Sequence, residues 1–116
     1  MEPRYRYAIY DMSLGSIPAK DHAIDWLNRV AAWHGFKVEA SVSHDFAMVE
    51  ADQPYSISFI LSSSHAFVHT SPEHNWVEVV FASCSRSLDP RDLEYAVKDF
   101  WKPEKMFVTY VEGKAP

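Results

Sequence analysis

The sequence predicts an α+β fold, a two-layer sandwich in which an antiparallel sheet carries two helices on one face. Its 116 residues suit one domain, so residues 1–116 are predicted to form a single domain. The composition is 47% hydrophobic and 15% aromatic, which is enough for a buried core and unlike that of disordered chains. The decisive observation is the order of the predicted segments, β-α-β-β-β-β-α-β.

The first half of the chain is predicted to hold two strands and a helix. Residues 5–10 are aromatic and β-branched enough for a first strand. In residues 19–34 apolar side chains recur at helical spacing, and Gly35 is a natural residue to end that helix. Residues 37–43 (KVEASVS) alternate as a half-buried strand does, and the polar residues 44–54 are predicted to form a loop.

The second half is predicted to hold four strands and a helix. Three β-branched and aromatic runs are predicted strands, over residues 56–61, 65–70 and 76–83. Asp89 followed by Pro90 is typical of a helix start, and that helix must end before Pro103. Residues 105–111 (KMFVTYV) close the fold as a last strand.

Charge and cysteine content limit the classes of partner. The net charge of −5 and the pI near 5.6 argue against nucleic acid, whose binding depends on clustered Lys and Arg. Cys84 is the single cysteine, so no intrachain disulfide can form, and a reducing compartment is expected. No apolar stretch approaches the roughly 18 residues of a spanning helix, so we expect a cytoplasmic protein without a membrane partner.

The predicted arrangement leaves one face of the sheet apolar and uncovered. Such a face favours a partner, most simply a second copy of the chain. We therefore expect a homodimer.

Reactive side chains concentrate in residues 62–84, SSSHAFVHTSPEHNWVEVVFASC. A plain hairpin needs neither the three histidines nor the single cysteine of this window. If SPEHN forms the turn and is centred at His74, Ser64 faces Cys84, with Cβ atoms about 5 Å apart. This register predicts a reactive pair of a serine and a thiol.

A second pair follows from the preceding turn. If residues 62–63 form a tight turn, Ser56 faces His69. Ser64 and His69 are then roughly 16 Å apart along one strand, at about 3.3 Å per residue, and point to opposite faces. A site that uses both pairs therefore needs the second pair from another protomer.

The window resembles the short prokaryotic type of pyruvoyl-dependent S-adenosylmethionine decarboxylases. That family has a serine-histidine pair, a histidine-threonine-x-proline-glutamate run, a phenylalanine and a cysteine. The same order occurs here as Ser64-His65, His69-Thr70-Ser71-Pro72-Glu73, Phe81 and Cys84. Upstream, Ser43-His44-Asp45-Phe46 is similar to a family segment that ends in histidine-x-phenylalanine, and Ser56 stands where the family has a processing serine.

The resemblance implies a cofactor made from the chain itself. The hydroxyl of Ser64 would attack the carbonyl of Ser63, and β-elimination would split the chain, leaving a pyruvoyl group in place of Ser64. His69 would assist in proton transfer and Ser56 by hydrogen bonding to the intermediate. The pyruvoyl carbonyl would form a Schiff base with the substrate amine and accept the electrons left when CO2 departs.

The resemblance also implies the roles of the remaining site residues. Cys84 would return a proton to the substrate α-carbon as a general acid. Glu73 would hold the ribose hydroxyls, and Phe46 and Tyr7 would stack on adenine. Two protomers complete each site in the family, in agreement with the register.

Two alternatives stay open. The family usually has a charged residue where Ser63 stands and an aromatic residue where Ser71 stands. These changes suggest an unprocessed homologue that binds S-adenosylmethionine as a sensor, a regulatory partner or a different lyase. The longer loop before Ser56 suggests a pyruvoyl-dependent decarboxylase of arginine or ornithine.

Two other site types are less favoured. His65, His69, His74 and Glu73 fit no known metal motif, and histidines four apart on a strand are too distant to share one ion. A serine-histidine hydrolase would need a nucleophile elbow and oxyanion glycines, which the window lacks. We therefore expect no metal.

Overall fold

The computed structural model describes residues 4–48, 51–84 and 89–114, and it confirms the predicted α+β fold. The strands are β1 (Arg4–Ser13), β2 (Val38–Asp45), β3 (Tyr55–Leu61), β4 (Ser64–Ser71), β5 (Trp76–Ser83) and β6 (Lys105–Lys114). The helices are α1 (Lys20–Trp33) and α2 (Pro90–Trp101), and a short 3-10 turn, Pro72–His74, joins β4 to β5. The element order is therefore the predicted one.

All six strands belong to one antiparallel sheet with the order β2-β3-β4-β5-β1-β6. β4, which starts at Ser64, lies between β3 and β5 in the middle of the sheet. Strands β1, β3, β4 and β5 bury alternate side chains against the helices, because successive side chains of a strand point to opposite faces. We call the other surface of the sheet the open face.

Capping interactions mark the start of α2 and the end of α1. Asp89 caps α2, its side chain accepting a hydrogen bond from the backbone N–H of Arg91 at 2.9 Å. α1 ends in a Schellman motif, in which Phe36 N–H donates to Ala31 O at 2.8 Å and Gly35 has a left-handed φ of 76°. Gly35 suits this position because a residue without a Cβ adopts positive φ at little cost.

The buried sides of α1 and α2 form the core with the covered side of the sheet. Each helix presents apolar residues three and four positions apart, as expected for one buried stripe. The residues concerned are Ala23, Trp26, Leu27, Val30 and Ala31 in α1, and Leu93, Ala96, Val97 and Trp101 in α2. No helix in the described part of the chain is long and apolar enough to cross a membrane.

Strands β1, β2 and β6 continue two or three residues beyond their predicted ends. β1 continues to Ser13, three residues beyond the predicted end, because Asp11 and Met12 still pair with β5 and β6. β2 continues to Asp45 because His44 and Asp45 pair with the start of β3, so only the rest of the predicted loop 44–54 is outside a strand. Residues 49–50 of that loop lie outside the described residues.

The register confirms one predicted pair and corrects the other. Ser56 pairs with His69, as the two-residue turn after β3 requires. The pairing of Ser64 with Cys84 is wrong, because Ser64 pairs with Ser83. The turn between β4 and β5 comprises residues 72–75 rather than five residues, which moves the partner of every β4 residue by one position.

The shape of that turn explains the shift. Pro72–His74 forms a 3-10 turn whose next residue, Asn75, has a left-handed φ of 53° and donates its N–H to Pro72 O at 3.0 Å. Asparagine tolerates this conformation better than most residues. Ser71 is thereby free to pair with Trp76 instead of belonging to the turn.

Candidate active site

A pocket of about 240 Å³ lies where β4 begins and β5 ends. Its lining includes both residues of the predicted cleavage position, Ser63 and Ser64, together with Tyr7, His65, Ala82, Ser83 and Cys84. We call it the cleavage pocket. Ser63 is exposed in the turn between β3 and β4, and Ser64 is half-buried as the first residue of β4.

The hydroxyl of Ser64 is held by a second serine. Ser64 Oγ donates a hydrogen bond to Ser83 Oγ at 2.5 Å, and Ser83 is only 4% exposed. The two residues are cross-strand partners on the covered side of the sheet, which brings their side chains together. Sequence reasoning missed Ser83 because the predicted register put Cys84 in its place.

Cys84 still reaches the cleavage position. Its Sγ donates to the carbonyl oxygen of Ser63 at 3.6 Å, a contact suited to sulfur, and the residue is exposed. The thiol therefore contacts the carbonyl that Ser64 would attack, although Ser64 and Cys84 are not register partners. A free, exposed thiol at this point can also meet a bound substrate.

Tyr7 forms the wall of the cleavage pocket on the open face. Its ring meets the ring of His65 edge-on with 6.4 Å between centroids, and the side chain is 41% exposed. The two residues are linked through β5, since each pairs with Ala82. Part of the Tyr7 ring is thus accessible to a planar ligand.

A second cluster forms on the open face around His69. Its Nδ1 lies 2.6 Å from Ser56 Oγ, which is a hydrogen bond in either direction according to the tautomer. The ring of His69 is stacked parallel to that of Phe67, with centroids 6.3 Å apart. We call this group, with Phe46, the histidine cluster.

Phe46 joins the histidine cluster from the end of β2. Its ring meets His69 edge-on at 5.7 Å and His44 edge-on at 4.7 Å. The side chain is 41% exposed, so a face of the ring is accessible to a ligand. The predicted substrate residue Phe46 therefore lies beside His69 and away from Tyr7.

Glu73 lies in the 3-10 turn at the far end of β4 from Ser64. Its carboxylate is 44% exposed and its Oε1 is 3.7 Å from His74 Nδ1. An exposed carboxylate on a turn can accept hydrogen bonds from ligand hydroxyls. Within one chain, however, the length of β4 separates Glu73 from the cleavage pocket.

The predicted site residues thus form two groups at opposite ends of β4. Tyr7, Ser64 and Cys84 belong to the cleavage pocket, and Phe46, Ser56, His69 and Glu73 belong to the other end. Ser64 and His69 are roughly 16 Å apart at about 3.3 Å per residue. Neither end alone holds all the predicted residues.

The cleavage pocket fits a group made from Ser64. The Ser64 hydroxyl, the Ser63 carbonyl and the Cys84 thiol all lie within this pocket. The space of about 240 Å³ beside them can admit part of a substrate. Among residues 4–48, 51–84 and 89–114, no three or more His, Cys, Asp or Glu side chains gather as metal ligands do.

Comparison with known proteins assigns the family. The family model described as S-adenosylmethionine decarboxylase matches residues 6–113, almost the whole chain. The S-adenosylmethionine decarboxylase proenzyme of Clostridium botulinum (strain Hall) is 25% identical over 91 residues, which cover 78% of this chain and 75% of that protein. The proenzyme of Oceanobacillus iheyensis is 30% identical over 84 residues, covering 71% of this chain and 62% of that protein.

A solved structure shows the same fold. The adenosylmethionine decarboxylase of Aquifex aeolicus superposes with a TM-score of 0.73 at 17% identity, covering 96% of this chain and 91% of that one. At this identity the likeness concerns the fold, and the family model carries the assignment. The match over residues 6–113 includes every predicted site residue. The chain belongs to the S-adenosylmethionine decarboxylase family.

Proposed function

We propose that this chain cleaves itself between Ser63 and Ser64 and decarboxylates S-adenosylmethionine with a pyruvoyl group made from Ser64. The observation that carries the proposal is the cleavage pocket, where the Ser64 hydroxyl, the Ser63 carbonyl and the Cys84 thiol meet. The curated relatives are named proenzymes, which supports cleavage after synthesis. The product would serve as the aminopropyl donor for spermidine synthesis in the cytoplasm.

Self-cleavage begins at the amide between Ser63 and Ser64. Ser64 Oγ forms a bond to the Ser63 carbonyl carbon, the C–N bond breaks, and the amide becomes an ester with a free amino group. Removal of the Cα proton of residue 64 expels the ester oxygen as the carboxylate of Ser63. The resulting enamine rearranges, takes up water and releases ammonia, leaving the ketone. Each step conserves atoms and needs no oxidant.

The histidine cluster is suited to the elimination step. His69 would move the Cα proton, and its bond to Ser56 at 2.6 Å would fix the ring and stabilise the developing charge. These groups are too far from Ser64 in the same chain. They would therefore come from the partner protomer.

The residues of the chain have distinct roles toward the substrate. A pyruvoyl carbonyl supplies an electron sink for the amino acid once it has condensed with the substrate amine. Cys84, at the mouth of the pocket, would donate a proton to the α-carbon after CO2 leaves. Tyr7 and Phe46 would stack on the adenine and face the sulfonium charge, and Glu73 would accept hydrogen bonds from the ribose hydroxyls.

A homodimer built on the open face would complete the site. Large apolar side chains are exposed there on strands across the sheet, namely Tyr7, Val42, Ile60, Phe107 and Val111. A two-fold axis that lies between the two open faces and runs across β4 would place one end of β4 against the opposite end of its copy. The cleavage pocket of one protomer would then meet the histidine cluster and Glu73 of the other.

Release of labelled CO2 tests the reaction and its substrate. Purified chain is supplied with carboxyl-labelled S-adenosylmethionine, arginine or ornithine, beside Ser64→Ala and the control Ser62→Ala. We expect CO2 from S-adenosylmethionine alone, no release with Ser64→Ala, and release with Ser62→Ala. Binding of S-adenosylmethionine by an intact chain without CO2 release would instead identify an unprocessed homologue. Release from arginine or ornithine alone would identify a different decarboxylase.

A further inference from the structure

A small cavity lies beneath the cleavage pocket, between α1 and the sheet. Ser64, Ser83 and His34 all line it, and the rest of its lining is mostly apolar. The cavity has a volume of about 10 Å³, which leaves room for one buried water. The Ser64 hydroxyl thus adjoins this cavity as well as the cleavage pocket.

His34 is a buried histidine that the proposed mechanism does not yet use. Its side chain is 8% exposed, and its Nδ1 lies 2.9 Å from Val30 O. A carbonyl oxygen only accepts, so Nδ1 must carry the proton of the neutral ring. Nε2 is then an unprotonated base, and within the described residues it is buried without a hydrogen-bond partner.

The end of α1 holds this ring in place. His34 is the C-cap residue, followed by the Schellman turn of Gly35, and its ring is stacked on Phe36 with centroids 6.4 Å apart. The hydrogen bond between Nδ1 and Val30 O and this stacking together fix the orientation of the imidazole. Nε2 is therefore held in one position at the end of α1.

The residues assigned so far to self-cleavage include no base on the covered side of the sheet, where the Ser64 hydroxyl lies. The Ser64 hydroxyl must lose its proton to attack, and it points to the covered side, where Ser83 lies. His69 occupies the open face five residues along the strand. Of the two histidines, only His34 shares a cavity with Ser64.

We propose that His34 is the base for ester formation and that Ser83 is the positioning residue that links it to Ser64. This inference rests on the proposed self-cleavage. Ser64 passes its proton to Ser83 Oγ as Ser83 passes its own through one water in the cavity to His34 Nε2. Ser64 Oγ then bonds to the Ser63 carbonyl carbon.

The proton returns when the amide breaks. The C–N bond of the Ser63–Ser64 amide is cleaved as the nitrogen takes up the proton held by His34, which leaves an ester, a free amino group and a neutral imidazole. No atom is gained or lost in this step. His34 and Ser83 therefore act before the ester exists, and His69 acts after it.

The two histidines can be separated by trapping the ester. Neutral hydroxylamine cuts esters and leaves amides intact, so it cuts a chain stalled after ester formation. His34→Gln, His69→Gln and the exposed α1 control His22→Gln are synthesised in a cell-free extract, and cleavage is followed from synthesis. We expect His34→Gln to slow cleavage by about 100-fold with an uncut chain that resists hydroxylamine. His69→Gln should accumulate chain that hydroxylamine cuts, and His22→Gln should match the parent.

Ser83 variants provide a test that a purely structural role would not pass. Ser83→Ala removes the hydroxyl, and Ser83→Thr retains it on a side chain that suits a strand. We expect Ser83→Ala to accumulate hydroxylamine-resistant chain and Ser83→Thr to recover most of the cleavage rate. If circular dichroism shows that His34→Gln does not fold, the comparison of Ser83→Ala with Ser83→Thr tests the inference. Equal cleavage rates for these two variants would overturn it.

The outcomes separate this inference from the proposed function. If the parent chain cleaves and His34→Gln cleaves as fast, His34 is not the base and only this inference fails. If His34→Gln stalls as a hydroxylamine-sensitive ester, the inference also fails, because the ester then forms without His34. If the parent chain never cleaves, the proposed function fails and takes the inference with it.

Discussion

Three polar side chains, those of Ser64, Ser83 and Cys84, lie near the start of β4. Ser64 Oγ donates to Ser83 Oγ on the covered side at 2.5 Å, whereas Cys84 Sγ contacts the Ser63 carbonyl at 3.6 Å in the open pocket. In the proposed function, the hydroxyl pair prepares the attack on the chain. The thiol lies where substrate would enter, so its removal should affect the later reaction with substrate.

Replacing Cys84 separates cleavage from decarboxylation. Cys84→Ala is expected to cleave between Ser63 and Ser64 and to release CO2 from S-adenosylmethionine about 100-fold more slowly, because a general acid is lost. Gel electrophoresis measures the cleavage of the chain, and labelled substrate measures the rate of CO2 release. Parent-like CO2 release by Cys84→Ala would remove the thiol from the reaction.

Replacing Ser56 tests its bond to His69. Ser56→Ala removes a hydrogen bond of 2.6 Å, and a loss of about 1 kcal/mol at the transition state slows self-cleavage by roughly fivefold. Ser58→Ala is the matched control, since Ser58 is on the same strand and face and is equally half-buried. Cell-free cleavage kinetics measure both. Equal slowing by the two variants would assign the effect to the strand rather than to the Ser56–His69 bond.

Most candidate site residues could be proposed from the sequence, but Ser83 and His34 could not. Ser64, His69, Glu73 and Cys84 stand at spacings that resemble a family motif. His34 has no such signal, because a histidine before Gly35 looks like an ordinary helix end. Its free Nε2 emerges only once the chain has folded around it.

At the level of elements, turn length decided which register prediction was right. The tight turn between β3 and β4 allows a single pairing of these two strands. In this pairing Ser56 faces His69, as predicted. The next loop could hold four or five residues, and sequence alone did not reveal that Asn75 adopts the left-handed conformation of a four-residue turn. One residue was enough to exchange Cys84 for Ser83 opposite Ser64.

The start of α2 offers a test of element stability. Asp89→Ala removes the side chain that accepts from Arg91 N–H, and it should lower the free energy of unfolding by about 1 kcal/mol. Urea denaturation measures the change. Arg91→Ala keeps the backbone donor and the cap, so its effect should stay within about 0.5 kcal/mol. An equally small effect of Asp89→Ala would contradict the assigned cap.

For the whole molecule, the open face links the fold to the proposed dimer. The prediction that helices cover one face was confirmed, and the other face exposes large apolar residues such as Ile60 at 58% and Phe107 at 74%. The two groups of site residues lie at opposite ends of β4. A partner that covers this face would bring them together, and the sequence alone could anticipate the need but not the geometry.

Mixing two inactive variants tests the shared site. Cys84→Ala impairs the cleavage pocket and Glu73→Ala the opposite end, so each homodimer is expected to release CO2 far more slowly than the parent. Random reassociation makes half of the dimers mixed, each with one intact site, and should restore about a quarter of the parent CO2 release. Absence of any recovery from dimers shown to exchange would place each site within one chain. Phe107→Lys in both chains should weaken the dimer and abolish the recovery.

The mass of the freshly purified chain shows whether it has cleaved itself. We expect two fragments divided between Ser63 and Ser64, the second blocked at its N-terminus by a ketone that reacts with hydrazines. Their summed mass should equal that of the intact chain plus one water less one ammonia, whereas ordinary proteolysis adds one water and releases no ammonia. A single unbroken chain that remains inert to hydrazines would rule out both self-cleavage and a pyruvoyl group.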